Sequence, residues 1–187
     1  MSHTPRNELV HFLSDLYSME LQALAQLVTA PGMTNDPTLA SDFKLHHAET
    51  ERQAERVRAR LEALGGAPSA IKDAVMKLGG KALLLFAKLQ PETPGKLIAH
   101  AYSYEAMEWA AYAHLIHMAE RLDDTETAEI GRSMGAEERR MMQRLEKRFD
   151  AAETASHRET PLEKMGDHIH THLTESHALA VQSVKLL

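Results

Sequence analysis

Apolar residues recur along this chain at helical spacing, and in each of four long stretches an acid interrupts the apolar face near its middle. The first stretch opens at Thr4-Pro5, an N-cap followed by proline in the first turn. It continues with Leu9, Leu13, Leu16, Ala23 and Leu27 on one face. Glu20 breaks that face, with Tyr17 one turn before it. Pro31-Gly32 and Asn35-Asp36-Pro37 end this helix and form a short connection. A second helix is predicted from about Thr38 to Leu64, with Leu39, Phe43, Thr50, Val57, Leu61 and Leu64 inward and a stop at Gly65-Gly66. Midway along it, His46, Glu49 and Gln53 occupy the inward direction.

Residues 65–94 differ in character, with Gly-Gly, Pro and two short apolar patches, Ile71 to Leu78 and Ala82 to Leu89. They read as a crossover with one or two short helices. A third helix, about Gly95 to Leu122, carries Ile98, Tyr102, Glu105, Trp109, Tyr112, Ile116 and Ala119 on its stripe. Within it, the stretch YEAMEWAAY holds Glu105 and Glu108, which are three residues apart and so lie about 60° from each other on a helix. Asp123-Asp124-Thr125 supplies a turn and a cap. The fourth helix is predicted to reach about Asp150, with Met134, Met141, Met142, Leu145 and Phe149 inward and Glu138 among them. A polar break over Glu153 to Thr160 precedes Pro161, which starts a fifth helical pattern through Leu162, Met165, Ile169, Leu173, Ala180, Val184 and Leu187.

Short loops join the first helix to the second and the third to the fourth, so each pair is expected to form an antiparallel hairpin. The crossover between the pairs can span a helix of about 40 Å. The expected fold is therefore all-α, a ferritin-like four-helix bundle with one long crossover and an additional C-terminal helix. In this plan residues 1–150 form the bundle and 151–187 an extension packing on it or on a second subunit.

Midpoints of packed antiparallel helices coincide, so Glu20, Glu49, Glu105 and Glu138 are expected at one level of the core. Uncompensated carboxylates there would be driven to protonate. Bound cations remove that penalty. The chain has no cysteine, which excludes disulfides and thiolate ligands, so any metal must use oxygen or imidazole. Such a donor set suits iron or manganese, and shared carboxylates can bridge two ions. For each glutamate alone, the competing reading is a solvated residue on a helix whose phase is misjudged.

The segments FLSDLYSMELQ, HHAETERQAERV, YEAMEWAAYAHL and EIGRSMGAEERRMMQRL resemble the YciE/YciF family of bacterial ferritin-like proteins, over about Glu8 to Arg148. The resemblance implies a dinuclear metal site with two ions per chain and frequent dimers. Its ligands would fall on Glu20, Glu49, Glu105 and Glu138, with Gln53 and Glu108 as additional candidates. The chain departs from the wider fold's Glu-x-x-His pattern, since Arg52 follows Glu49 by three residues and Met141 follows Glu138 by three. His46, one turn before Glu49, is the candidate substitute. Its alternative role is a polar core histidine bonded to a glutamate.

The remaining histidines of the twelve carry weaker signals. His47 and His114 point away from the glutamates and read as surface or interface residues. His168, His172 and Glu175 share one face in the tail, a geometry that can capture Zn2+ or Ni2+ but that more often is a solvated stripe. Tyr17, Tyr102 and Tyr112 are candidates to stack beside the site or donate to its carboxylates. The net charge of −6 gives no general attraction to nucleic acid or an anionic membrane, and no apolar run reaches transmembrane length. Two functions compete: a metal-binding ferritin-like protein in stress or peroxide defence, and a metal-free helical scaffold acting through dimerisation or partner binding. A cytoplasmic homodimer is the expected setting for either.

Overall fold

Each of the four long helices begins where a side-chain oxygen caps free backbone N–H groups, and in three of them proline sets the first turn. The computed structural model describes residues 4–68 and 93–159. Helix α1 (Pro5–Leu27) is capped by Thr4, α2 (Pro37–Ala63) by Asp36, α3 (Pro94–Glu120) by Thr93 and α4 (Thr125–Glu146) by Asp124. A single 3-10 turn, Ala30–Met33, sits in the first connection. Helix α2 stops in a Schellman arrangement: Gly65 adopts φ 81°, its N–H donates to the Glu62 carbonyl, and the Gly66 N–H donates to the Leu61 carbonyl, each at 2.9 Å.

Helix α1 packs along α2 and α3 along α4, and the two hairpins meet through α1 with α3 and α2 with α4. One clamp fixes the second contact. Arg60 near the end of α2 donates to Asp124 at 2.6 Å, to Thr127 at 2.7 Å and to Glu126 at 2.5 Å, so it grips the capped start of α4. The same Arg60 contact, with the bonds from Thr127, holds the Asp124 carboxyl below its ordinary value despite partial burial.

Among the described residues two apolar clusters make the core. One gathers Leu9, Leu13 and Leu16 of α1 with Val57 and Leu61 of α2, Tyr112 and Leu115 of α3 and Met134 of α4. The other gathers Leu27, Leu39, Phe43, Ile98, Met141 and Leu145. Read along each helix, the polar residues fall between the two: Glu20 after Leu16, His46 to Gln53 between Phe43 and Val57, Glu105 and Glu108 between Ile98 and Tyr112, and Glu138 between Met134 and Met141. The bundle is thus apolar at both ends and ionisable at its waist.

The α3–α4 pair is held close by small residues. A Cβ added at Gly131 would lie 2.8 Å from Cγ1 of Ile116 and 3.3 Å from the Tyr112 carbonyl, closer than packed atoms approach. Gly131→Ala is therefore expected to lower stability by about 1 to 3 kcal/mol through forced separation of the helices, measured as an earlier urea midpoint with an unchanged slope.

Three expectations require correction. Trp109 is 40% exposed rather than part of the core, because the buried line of α3 runs through Glu105, Glu108, Tyr112, Leu115 and Ala119. Helix α4 ends at Glu146, not near Asp150. Arg148 reaches across to Asp42 at 2.9 Å and Asp36 at 3.5 Å, turning the chain there, and Phe149 is 37% exposed with its ring against Tyr102. The supposed polar break is helical, since α5 (Phe149–Glu159) lies against α3, with Ser156 accepting the Gly95 N–H at 2.9 Å. Ala152 of α5 is buried in the second apolar cluster, which explains why a mostly polar segment is retained as helix. The crossover patches at 71–78 and 82–89 and the tail pattern from Pro161, including His168, His172 and Glu175, lie outside the described residues.

Candidate metal centre

Ten polar or charged side chains are buried among the described residues, and seven of them meet at the waist of the bundle: Glu20, His46, Glu49, Gln53, Glu105, Glu108 and Glu138. His46, Glu105, Glu108 and Glu138 each offer a donor atom, and these atoms all lie within 4.8 Å of one another. Nε2 of His46 is 2.7 Å from Oε2 of Glu105 and 3.3 Å from Oε2 of Glu138, close contacts that lack the alignment of hydrogen bonds. Glu20 stands beside this group, its Oε1 accepting from the hydroxyl of the fully buried Tyr112. Gln53 donates from Nε2 to Glu138 at 2.5 Å and to Glu137 at 3.1 Å.

Glu49 lies on the other side of the imidazole. Its Oε2 is 3.1 Å from Nδ1 of His46 and accepts from Nη2 of Arg144 at 2.8 Å. Arg144 carries no functional signal in the sequence beyond its spacing, six residues after Glu138, because an arginine near the end of an amphipathic helix reads as solvated. The Tyr104 hydroxyl donates to the Met19 carbonyl at 3.2 Å and ties α3 to α1 beside Glu20. Of the other aromatic candidates, Tyr17 packs at the edge of the first apolar cluster and Tyr102 at the edge of the second. His114 is exposed and its ring meets Phe12 edge-on, while His47 is partly exposed beside Glu51.

Electrostatics at the waist are governed by burial. Burial and the charge of Glu138 push the Glu20 carboxyl up to about 8, against the bond from Tyr112. Burial raises Glu105 to about 7, with His46 opposing. Glu108 is held well above the usual carboxylate range by burial and by the charges of Glu20, Glu138 and Glu105. Burial alone would pull a proton off His46, yet Glu105, Glu138 and Glu49 outweigh it and keep the ring cationic well above its ordinary value. Glu49 is held down at about 2 by its bond from His46, with burial opposing and Arg144 reinforcing.

Charge balance separates the roles. Arg144 neutralises Glu49 at the rim, leaving Glu20, Glu105, Glu108 and Glu138 with one internal cation, His46. Six buried side-chain atoms of the waist residues have no hydrogen-bond partner: Oε2 of Glu20, Nε2 of His46, Oε1 of Gln53, Oε2 of Glu105, Oε1 of Glu108 and Oε2 of Glu138. Buried polar atoms are ordinarily paired, and these are atoms of the kind that a bound cation would satisfy. The donors are oxygen with one imidazole, and the cluster is compatible with a metal site.

Comparison with known proteins places the chain. Residues 4–158 match the family described as "Domain of unknown function (DUF892)". Among solved structures, a protein of Xanthomonas campestris pv. campestris is similar at 25% identity and a TM-score of 0.68, over 81% of this chain and 95% of that one. The stress protein YciF of E. coli is similar at 26% identity and a TM-score of 0.67, over 78% of this chain and 94% of that one. A bacterioferritin of Desulfovibrio desulfuricans with a diiron site shares the fold at 17% identity and a TM-score of 0.65, over 83% of this chain and 87% of that one. No curated protein matches. No helix among the described residues is long and apolar enough to cross a membrane. A ferritin-like helical bundle, the YciF likeness and the match over most of its length together make this chain a member of the DUF892 family, of YciE/YciF type.

Proposed function

We propose that this protein holds a carboxylate-rich dinuclear iron or manganese centre at the waist of its bundle and serves in oxidative or general stress defence. The orphaned donor atoms at one level carry this reading. Glu20, His46, Glu105, Glu108 and Glu138 would hold the ions, with Gln53 at the margin. Four ionised carboxylates match the charge of two divalent ions without help from Glu49, which Arg144 already neutralises. Bound there, such ions supply Lewis acidity and, for iron or manganese, one-electron chemistry.

The protein's own part is to keep the donors dry and oriented. Leu16 and Met134 of one apolar cluster and Phe43 and Met141 of the other flank the ligands along their helices, and Tyr112 holds one oxygen of Glu20 while the other is buried without a partner. The stress role is supported by the likeness to YciF, itself a stress protein.

Titrating the metal-free protein with Mn2+ and following the free ion by electron paramagnetic resonance is expected to show uptake of about two ions per chain. The Glu20→Ala, Glu138→Ala double variant should take up neither tightly. Uptake undiminished in that variant would remove the proposal.

One observation favours a metal-free scaffold as the second reading. His46, kept cationic by three carboxylates, already acts as an internal counter-ion. That reading predicts no stoichiometric uptake in the same titration.

A further inference from the structure

Glu49 is separated from the inner carboxylates by the ring of His46. The imidazole presents Nε2 to Glu105 and Glu138 and Nδ1 to Glu49, so its two nitrogens face opposite environments. Oε2 of Glu49 takes both the Nδ1 contact at 3.1 Å and the Arg144 Nη2 bond at 2.8 Å. The backbone carbonyl of His46 meanwhile accepts from Thr50 Oγ1 at 2.9 Å. The ring is 0% exposed. Met141, whose sulfur lies 3.5 Å from Arg144 Nη2, packs against the guanidinium. A line therefore runs from the partly exposed Arg144 through Glu49 to His46 and ends at the orphaned Nε2.

We propose that Arg144 and Glu49 are positioning residues that fix the orientation and tautomer of His46, leaving Nε2 as its metal-binding nitrogen. This rests on the metal-centre reading above, and it assigns Glu49 to the support of a ligand rather than to the ligand set. With Nδ1 committed to the Glu49 carboxylate, Nε2 is the nitrogen left to face a cation. Arg144 keeps Glu49 from turning inward to the ions or outward to water. A carboxylate behind a ligating imidazole also raises its basicity, which strengthens the bond it makes.

The test uses the full chain loaded with Zn2+, a diamagnetic probe, and with Mn2+ for affinity. Glu49→Ala and Arg144→Ala should weaken Mn2+ binding by about 10- to 100-fold while the number of ions bound is unchanged. Glu49→Gln, which keeps an oxygen to accept from Nδ1–H, should recover much of that loss. In the Zn2+ protein, 15N-detected spectra of the His46 ring should show Nδ1 protonated and Nε2 metal-bound, and Glu49→Ala should broaden or reverse the assignment.

A drop of one ion per chain in both Glu49→Ala and Glu49→Gln would make Glu49 a direct ligand and overturn the proposal. Unchanged affinity in all three variants would overturn it as well, and leave the metal centre standing. No uptake by the unsubstituted protein would overturn both.

Discussion

His46→Ala should cost the metal-free protein about 3 to 5 kcal/mol at neutral pH, the scale for removing one partner of a buried ionic group. His46 lies 3.1 Å from Glu49, 2.7 Å from Glu105 and 3.3 Å from Glu138, and it is the one buried cation among them. Without it the inner carboxylates can be accommodated only by taking up protons. For a chain of this size that loss corresponds to a fall in Tm of roughly 6 to 20 °C. The loss should shrink near pH 5, where the remaining carboxylates protonate more readily. Thermal unfolding in chelator at pH 5 and pH 7 measures both. A change below about 1 kcal/mol at pH 7, the level of an exposed pair, would show that the ring carries no such burden.

The second large effect is an unusual pH dependence. Glu20 titrates near 8 and Glu105 near 7 in the folded chain, against an ordinary 4.5, while Glu108 is raised further by burial and its neighbours. Between pH 4.5 and 8 the folded chain therefore holds protons that the unfolded chain has released, and stability falls as pH rises through this window. His46 acts in the same direction. Its folded-state pKa is raised, so its contribution is complete below 6.5 and is lost as pH climbs through the higher folded value. Glu49 opposes only in acid, since its contribution is present above 4.5 and disappears as pH falls toward about 2.

The metal-free protein is thus expected to be most stable near pH 5 and to lose on the order of a few kcal/mol by pH 8. Mn2+ should reverse the trend, because ionised carboxylates bind it best and the stabilisation it confers grows as pH rises. Melting curves from pH 5 to 9, with chelator and with Mn2+, measure the two slopes. Stability that rises from pH 5 to 8 in chelator would contradict this picture of the waist.

Much of this arrangement was legible because it violates the rule that builds helices. A stripe of leucines and methionines interrupted at Glu20, Glu49, Glu105 and Glu138 is conspicuous, and the capping residues Thr4 and Asp124 stand where their helices begin. What periodicity could not resolve is the phase of a helix whose core face is itself polar. On α3 the spacing puts Trp109 on the inward stripe, but Glu105, Glu108, Tyr112 and Leu115 hold that direction instead. Trp109 sits at the flank with the Arg139 guanidinium over its ring.

Arg144 and Arg60 were hidden for a related reason. A long cationic side chain lays its stem along the surface while its head reaches a distant acid, so helical position says little about where its charge goes. Helix α5 was hidden because its buried apolar contact is one small residue, Ala152, which leaves no apolar stripe to read.

The central claim, that the carboxylates at the waist hold metal, is tested most directly by elemental analysis of the protein purified without a histidine tag or chelator. The account predicts about two iron or manganese ions per chain, the count of a dinuclear site. Protein that carries neither metal in stoichiometric amount, and takes up neither on reconstitution, would contradict it.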